Sequence, residues 1–175
     1  MEKRAVSEIF TPQNGEEPRD DRPRLVLDTN TVLALWMFRD PTLDTLRDWI
    51  EAGGCILYSR EDALEELRRV LAYRQFGLSE ALQRTLHGTF RSILTSWSAS
   101  TDGTSTKELA TLPRCRDTDD QKFLEIAFQT RATHLLTRDK ALLRLARHRS
   151  IRNRFATLTP ERFQASILAA HAPLG

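Results

Sequence analysis

Residues 116–128 read RDTDDQKFLEIAF, with three aspartates in four positions followed at once by an apolar pattern of helical period. Acidic residues commonly open helices, because the N-terminal end carries partial positive charge. That alone would account for them, but the three do not face the same way. Thr118 and Gln121 fit a capping box, which sets Asp119 and Asp120 in the first turn of a helix. Three, four and seven positions beyond Asp120 come Phe123, Leu124 and Ala127, so Asp120 tops the stripe that must pack inward. Asp119 has Lys122 three positions ahead and faces sideways. Asp117 precedes the helix, as a helix-start charge or a supporting group of the same site.

Three further acids belong with Asp120 by position. Asp28 closes the apolar run RLVLD, and Asp139 closes THLLTRD. In EDALEELRRVL, Glu65 faces Glu61, Asp62, Arg68 and Arg69, a solvated charged face. Glu66 lies at the margin of the stripe Ala63, Leu67, Val70, Leu71 and can turn inward. Four carboxylates brought together cannot all ionise unless something neutralises them. Hard divalent cations do so, and Mg²⁺ and Mn²⁺ prefer oxygen ligands. A carboxylate-held Mg²⁺ or Mn²⁺ with open water positions is what phosphodiester hydrolysis requires.

The elements that must position these acids follow from periodicity. RLVLD at 24–28, CILYS at 55–59, THLLT at 133–137 and FATLT at 155–159 are unbroken apolar runs, as expected of strands buried on both faces. Between them lie helical patterns at 42–54, 61–76, 78–97, 120–131, 139–148 and 160–171, the last with Pro160 at its start. A polar loop is expected at 98–108. Strands alternating with helices predict an α/β fold around a parallel sheet, with ligands binding beyond the strands' carboxyl ends. Asp28 and Asp139 both fall at such ends.

Composition sets the outer bounds. The 175 residues suit one domain with a genuine core. Apolar content of 40% and charged content of 29% are ordinary for a soluble globular protein. Residues 1–22 carry six acids, four bases and two prolines with few apolar side chains, and are expected to form a disordered tail before a domain at 23–175. Cys55 and Cys115 provide neither a disulfide framework nor zinc spacing. No apolar run reaches the ~18 residues of a membrane span, and no secretory signal is evident, so a cytoplasmic location is expected.

The net charge of +2 offers no global attraction for nucleic acid. Residues 138–154, however, hold seven bases, Arg138, Lys140, Arg144, Arg147, Arg149, Arg152 and Arg154, against the single acid Asp139. Arg138, Lys140, Arg144 and Arg147 begin this run beside the candidate site and could contact phosphates without regard to sequence.

The pieces LVLDTN (25–30), LEELRRVL (64–71), RDTDDQKFLEIA (116–127), LLTRDKALL (135–143) and the closing step TLTPERF (157–163) resemble, in order and spacing, the PIN domain. Within it they are most similar to the bacterial group of toxin components of toxin–antitoxin systems. The resemblance implies a three-layer α/β/α fold around a central parallel sheet of four to five strands. It also implies a Mg²⁺- or Mn²⁺-dependent endoribonuclease, a hydrolase acting on single-stranded RNA. Carried over by position, its acidic cluster falls on Asp28, Glu66, Asp120 and Asp139. Asp28, Asp120 and Asp139 would bind metal, and Glu66 would ligate it or orient the attacking water. Asn30 matches the polar residue after the first aspartate and is also placed to cap a helix. Thr137 matches the hydroxyl residue before the last aspartate. An antitoxin partner and a homodimer are implied as well.

Two rival readings are open. An aspartyl-phosphate enzyme needs D-x-D-x-[TV] after its first strand, and here Asn30 replaces the second carboxylate. The other rival is a PIN-like fold serving as a non-catalytic RNA- or protein-binding module.

Overall fold

The computed structural model describes residues 20–97 and 106–170. Except for its last three residues, the segment expected to be a tail lies outside these, as does most of the expected polar loop. Arg22, at the boundary, donates from Nη1 to the Gly53 carbonyl at 2.9 Å.

Four short strands, β1 (Arg24–Leu27), β2 (Ile56–Tyr58), β3 (His134–Leu136) and β4 (Ala156–Leu158), form one sheet in the order β2-β1-β3-β4. Every pairing is parallel. Alternate side chains of a strand point to opposite faces, and here both faces are covered. Leu25, Leu27, Leu57 and Leu136 face one apolar cluster. Val26 and Leu135 face the other. This is why the strands read as continuous apolar runs in the sequence.

On the first face the layer comprises the helical stretch after β1, helix α2 (Asp44–Glu51), α3 (Glu61–Leu71), α4 (Glu80–Ser92) and α9 (Pro160–Ala170). The stretch after β1 begins as helix α1 (Thr29–Val32) and continues in π geometry over Leu33–Met37. On the second face lie α6 (Gln121–Gln129), α7 (Lys140–Leu145) and α8 (Arg149–Arg152), through Phe123, Leu124, Leu142 and Ile151. The result is the three-layer α/β/α architecture. Among the described residues no helix is long and apolar enough to cross a membrane. Cys55 and Cys115 are free and buried.

Several element ends differ from the sequence expectation. The helix expected over 61–76 stops at Leu71, and Arg74–Phe76 forms a 3₁₀ turn closed by Gly77 at φ 59°. The helix expected to reach residue 97 stops at Ser92, because the following chain runs beside β2. There the Thr95 amide donates to the Leu57 carbonyl at 2.8 Å, and Trp97 Nε1 donates to the Ser59 carbonyl at 2.6 Å. The final residues of the expected polar loop form a short helix, α5 (Thr106–Leu109). Helix α2 ends at Glu51 and the chain then passes Gly53 and Gly54, where a Cβ on Gly54 would stand 2.3 Å from the Trp49 ring, so only glycine fits the close approach there.

The strand order places the site. The connection from β1 leads to β2 on one side, while β3 lies on the other. The reversal point is thus between β1 and β3, and their carboxyl ends carry Asp28 and Asp139.

Candidate active site

Asp28 follows β1 directly and caps α1, its Oδ1 accepting from the Thr31 amide at 2.7 Å. It is 3% exposed. Burial pushes its carboxyl above the ordinary aspartate range; hydrogen bonds from Thr137 and Thr31 oppose that rise and the charge of Asp139 adds to it. Asn30 is exposed within α1 and is not the cap, because Asp28 takes that position.

Thr137 ties two of the acids together. Fully buried, it donates its hydroxyl to Asp28 Oδ2 at 2.5 Å and accepts the Asp139 amide at 2.9 Å. Asp139 caps α7, with Oδ1 accepting from the amides of Ala141 and Leu142 at 2.7 and 2.9 Å. One oxygen of Asp139 is thereby fixed, leaving the other for a ligand. Thr31 strengthens the β1–β3 join, donating to the Leu136 carbonyl at 3.3 Å.

Glu66 is half-buried on α3, whereas Glu65 is exposed and paired with Arg68 at 2.6 Å. Glu66 Oε1 accepts from the Thr29 hydroxyl at 2.7 Å. Its other oxygen pairs with the Lys122 ammonium, a close contact between side chains only 13% and 20% exposed. Lys122 also donates to the Asp119 carbonyl at 2.6 Å.

Asp120 is half-buried at the N-cap of α6, without a side-chain capping bond. The expected capping box is not formed. Gln121 turns its side chain away to accept from the Cys115 amide at 2.7 Å and donate to the Pro113 carbonyl at 3.3 Å. With Thr118 as cap the helix would begin at Asp119; it begins two residues later, at Gln121. Burial, then the charges of Asp139, Asp117, Asp28 and Glu66, raise the Asp120 carboxyl from 3.8 to about 6. The charges of Asp28, Glu66 and Asp139, the other acids singled out in the sequence, thus all act on Asp120. Asp117 and Asp119 are exposed, Asp117 accepting from the Asp119 amide at 3.0 Å.

The basic run divides into two groups. Arg138 is held by Asp40 at 2.8 Å and by Glu161, so its guanidinium joins the turn after α1 to α9 and is not free for a phosphate as the sequence suggested. Arg154 lies over the Phe128 ring at 4.3 Å. Lys140, Arg144 and Arg147 are exposed. An open groove passes Asp139, Asp117, Arg116, Lys140 and Arg144, and adjoins a second one lined by Lys140, Leu143, Arg144 and Arg147.

The donor set is wholly carboxylate oxygen with surplus negative charge, which fits a hard divalent cation. Among the described residues, no three acids, histidines or cysteines form a ready ligand cage.

Residues the sequence did not single out are Lys122, as the partner of Glu66, and the hydroxyls of Thr29 and Thr31. Their signal was present in VLDTNT, with hydroxyls flanking a strand-end acid, and in a lone cation within the first turn of an acid-topped helix.

A family model for the PIN domain matches residues 24–141. No curated protein and no solved structure matches the chain. The matched span runs from β1 into α7 and contains Asp28, Glu66, Asp120 and Asp139. The chain belongs to the PIN-domain family.

Proposed function

We propose that this protein is a Mg²⁺- or Mn²⁺-dependent endoribonuclease that hydrolyses phosphodiester bonds of single-stranded RNA, with Asp28, Glu66, Asp120 and Asp139 as its catalytic acids. PIN domains are in general nucleases that use divalent metal ions, so the coarse activity comes with the family. The observation that supports the finer reading is the tie of Asp28 to Asp139 through the Thr137 hydroxyl, at 2.5 and 2.9 Å, beside Asp120, whose carboxyl is raised to about 6 by burial and by the charges of Asp139, Asp117, Asp28 and Glu66. Such a cluster is costly for the fold and gains from a cation.

Asp28, Asp120 and Asp139 would hold the ion, which when bound supplies a water of lowered pKa and stabilises charge on the phosphate oxygens. Thr137 keeps Asp28 and Asp139 in fixed relation through its hydroxyl. Glu66, aimed by Thr29 and Lys122, is placed to orient the attacking water. Asn30 and Asp117 would act as supporting polar groups. Lys140, Arg144 and Arg147 offer phosphate contacts along the adjoining grooves. The toxin role, an antitoxin protein and a homodimer belong to the same proposal. A small protein encoded beside this one that co-purifies with it would support the pair.

The test is cleavage of a labelled single-stranded RNA by wild type and Asp28→Asn, in Mn²⁺ and in EDTA. Cleavage by the wild type in Mn²⁺ alone is expected, and undiminished cleavage in chelator would overturn the metal dependence. One observation favours a second reading, a non-catalytic binding module: Lys122 already neutralises Glu66. RNA binding without cleavage in Mn²⁺ would select it.

A further inference from the structure

Phe38 and Tyr73 are 61% and 51% exposed, and they come together from separate parts of the chain. Phe38 meets the Phe76 ring edge-on at 5.8 Å, and Tyr73 lies nearly parallel to Phe76 at 6.4 Å and 18°. Phe76 itself packs on the core beneath, so the two exposed rings rest on a fixed base. Each is followed directly by an exposed arginine, Arg39 after Phe38 and Arg74 after Tyr73. Among the ion pairs of the described residues none involves Arg39 or Arg74. Arg39 is held at φ 48°, a left-handed position that usually falls to glycine or asparagine. The cap that holds it is closed by the Asp40 amide donating to the Ala34 carbonyl at 2.9 Å.

From this convergence of Phe38, Tyr73 and Phe76 with Arg39 and Arg74, we propose a stacking platform for unpaired bases of an RNA strand whose scissile phosphate lies at the acid cluster. The inference rests on the RNA reading above and extends it to a subsite. Aromatic faces beside cationic side chains are the usual means of holding single strands without regard to sequence. Location fits as well. Asp40, two residues after Phe38, is bound to Arg138, the neighbour of Asp139. Nine residues separate Asp28 from Phe38, four in α and five in π geometry.

The area argues against a protein occupant. Fully buried aromatic side chains cover about 150–250 Å² each, so the exposed parts of Phe38 and Tyr73 offer roughly 200 Å², against about 800 Å² per partner in a stable protein interface.

The experiment uses the whole chain in EDTA and a fluorescent single-stranded RNA of about twelve nucleotides, within the usual site sizes for such surfaces. Phe38→Leu with Tyr73→Leu keeps the apolar contact on Phe76 and removes the flat rings. It should weaken binding by about ten- to a hundred-fold. Phe38→Tyr with Tyr73→Phe should bind as the wild type does. Unchanged affinity in the leucine pair overturns the platform. So does a leucine pair that loses self-association in sedimentation while keeping its RNA affinity, which makes the face an interface between copies. If the wild type binds RNA in a ring-dependent way yet cleaves nothing in Mn²⁺, the nuclease reading falls and the platform stands. If the wild type does not bind RNA at all, both fall.

Discussion

Replacing Asp120 by asparagine should make the metal-free protein more stable while abolishing cleavage. In the fold its carboxyl titrates near 6 instead of the ordinary 3.8. The folded protein therefore holds this proton more tightly than the unfolded chain does. The stability this contributes is fully present below about pH 3.8 and is lost as pH rises through about 6. Above that, ionised Asp120 among its acidic neighbours is a net cost. A rise from 3.8 to about 6 corresponds to about 3 kcal/mol at most. Asp120 is only half-buried, and solvent screening reduces this to about 1–2 kcal/mol. For a chain of this size that is a midpoint roughly 3–6 °C higher for Asp120→Asn at pH 7.5. Asp28, also raised by burial, shifts wild-type stability in the same direction. The assay is thermal unfolding in EDTA from pH 4 to 8, paired with RNA cleavage in Mn²⁺. A variant that melts at or below the wild type at pH 7.5 refutes the argument that these acids repel one another across the site. An active Asp120→Asn alongside a dead Asp119→Asn would refute its facing.

Lys122→Met removes the cation on Glu66 and leaves that half-buried carboxylate among acids. A loss of about 1–3 kcal/mol in chelator is expected, with a larger rise in melting point on adding Mn²⁺, checked by calorimetry in both conditions. Thr137→Val keeps the shape but strips Asp28 of a buried donor. It should destabilise by about 1–3 kcal/mol, and Thr137→Ser should restore most of that in denaturant unfolding. Charge reversal at Arg144 and Arg147 should weaken RNA binding and flatten its salt dependence without unfolding the protein, as measured by anisotropy titrations at several salt concentrations.

The strands were legible because both of their faces are buried, which turns each into an unbroken apolar run. Where helices begin and end was less legible, because distant groups decide it. Thr118 and Gln121 match a capping box, yet the backbone at Cys115 and Pro113 draws the Gln121 side chain elsewhere. The helix expected to reach residue 97 is cut short by hydrogen bonds to β2, which lies some 40 residues earlier. Glu66 was placed by its helical face, but its partner Lys122 is 56 residues away, and the sequence shows Lys122 only as a cation in the first turn of another helix, not as that partner. Arg138 looked like one more base in a basic run, and only the folded chain shows it held between Asp40 and Glu161.

The family match ends at residue 141, before β4 and α9. Yet β4 pairs with the full length of β3, and Phe163 of α9 seats against the Trp49 ring at 5.9 Å and the His134 ring at 4.8 Å. The span that marks the family is therefore smaller than the unit that folds. A chain cut at residue 141 would turn β3, the strand leading to Asp139, into a bare edge. Its unpaired amides and carbonyls would invite the same edge of another molecule, the common route to strand-mediated aggregation. The last two elements thus act as a guard on solubility as well as a wall of the core.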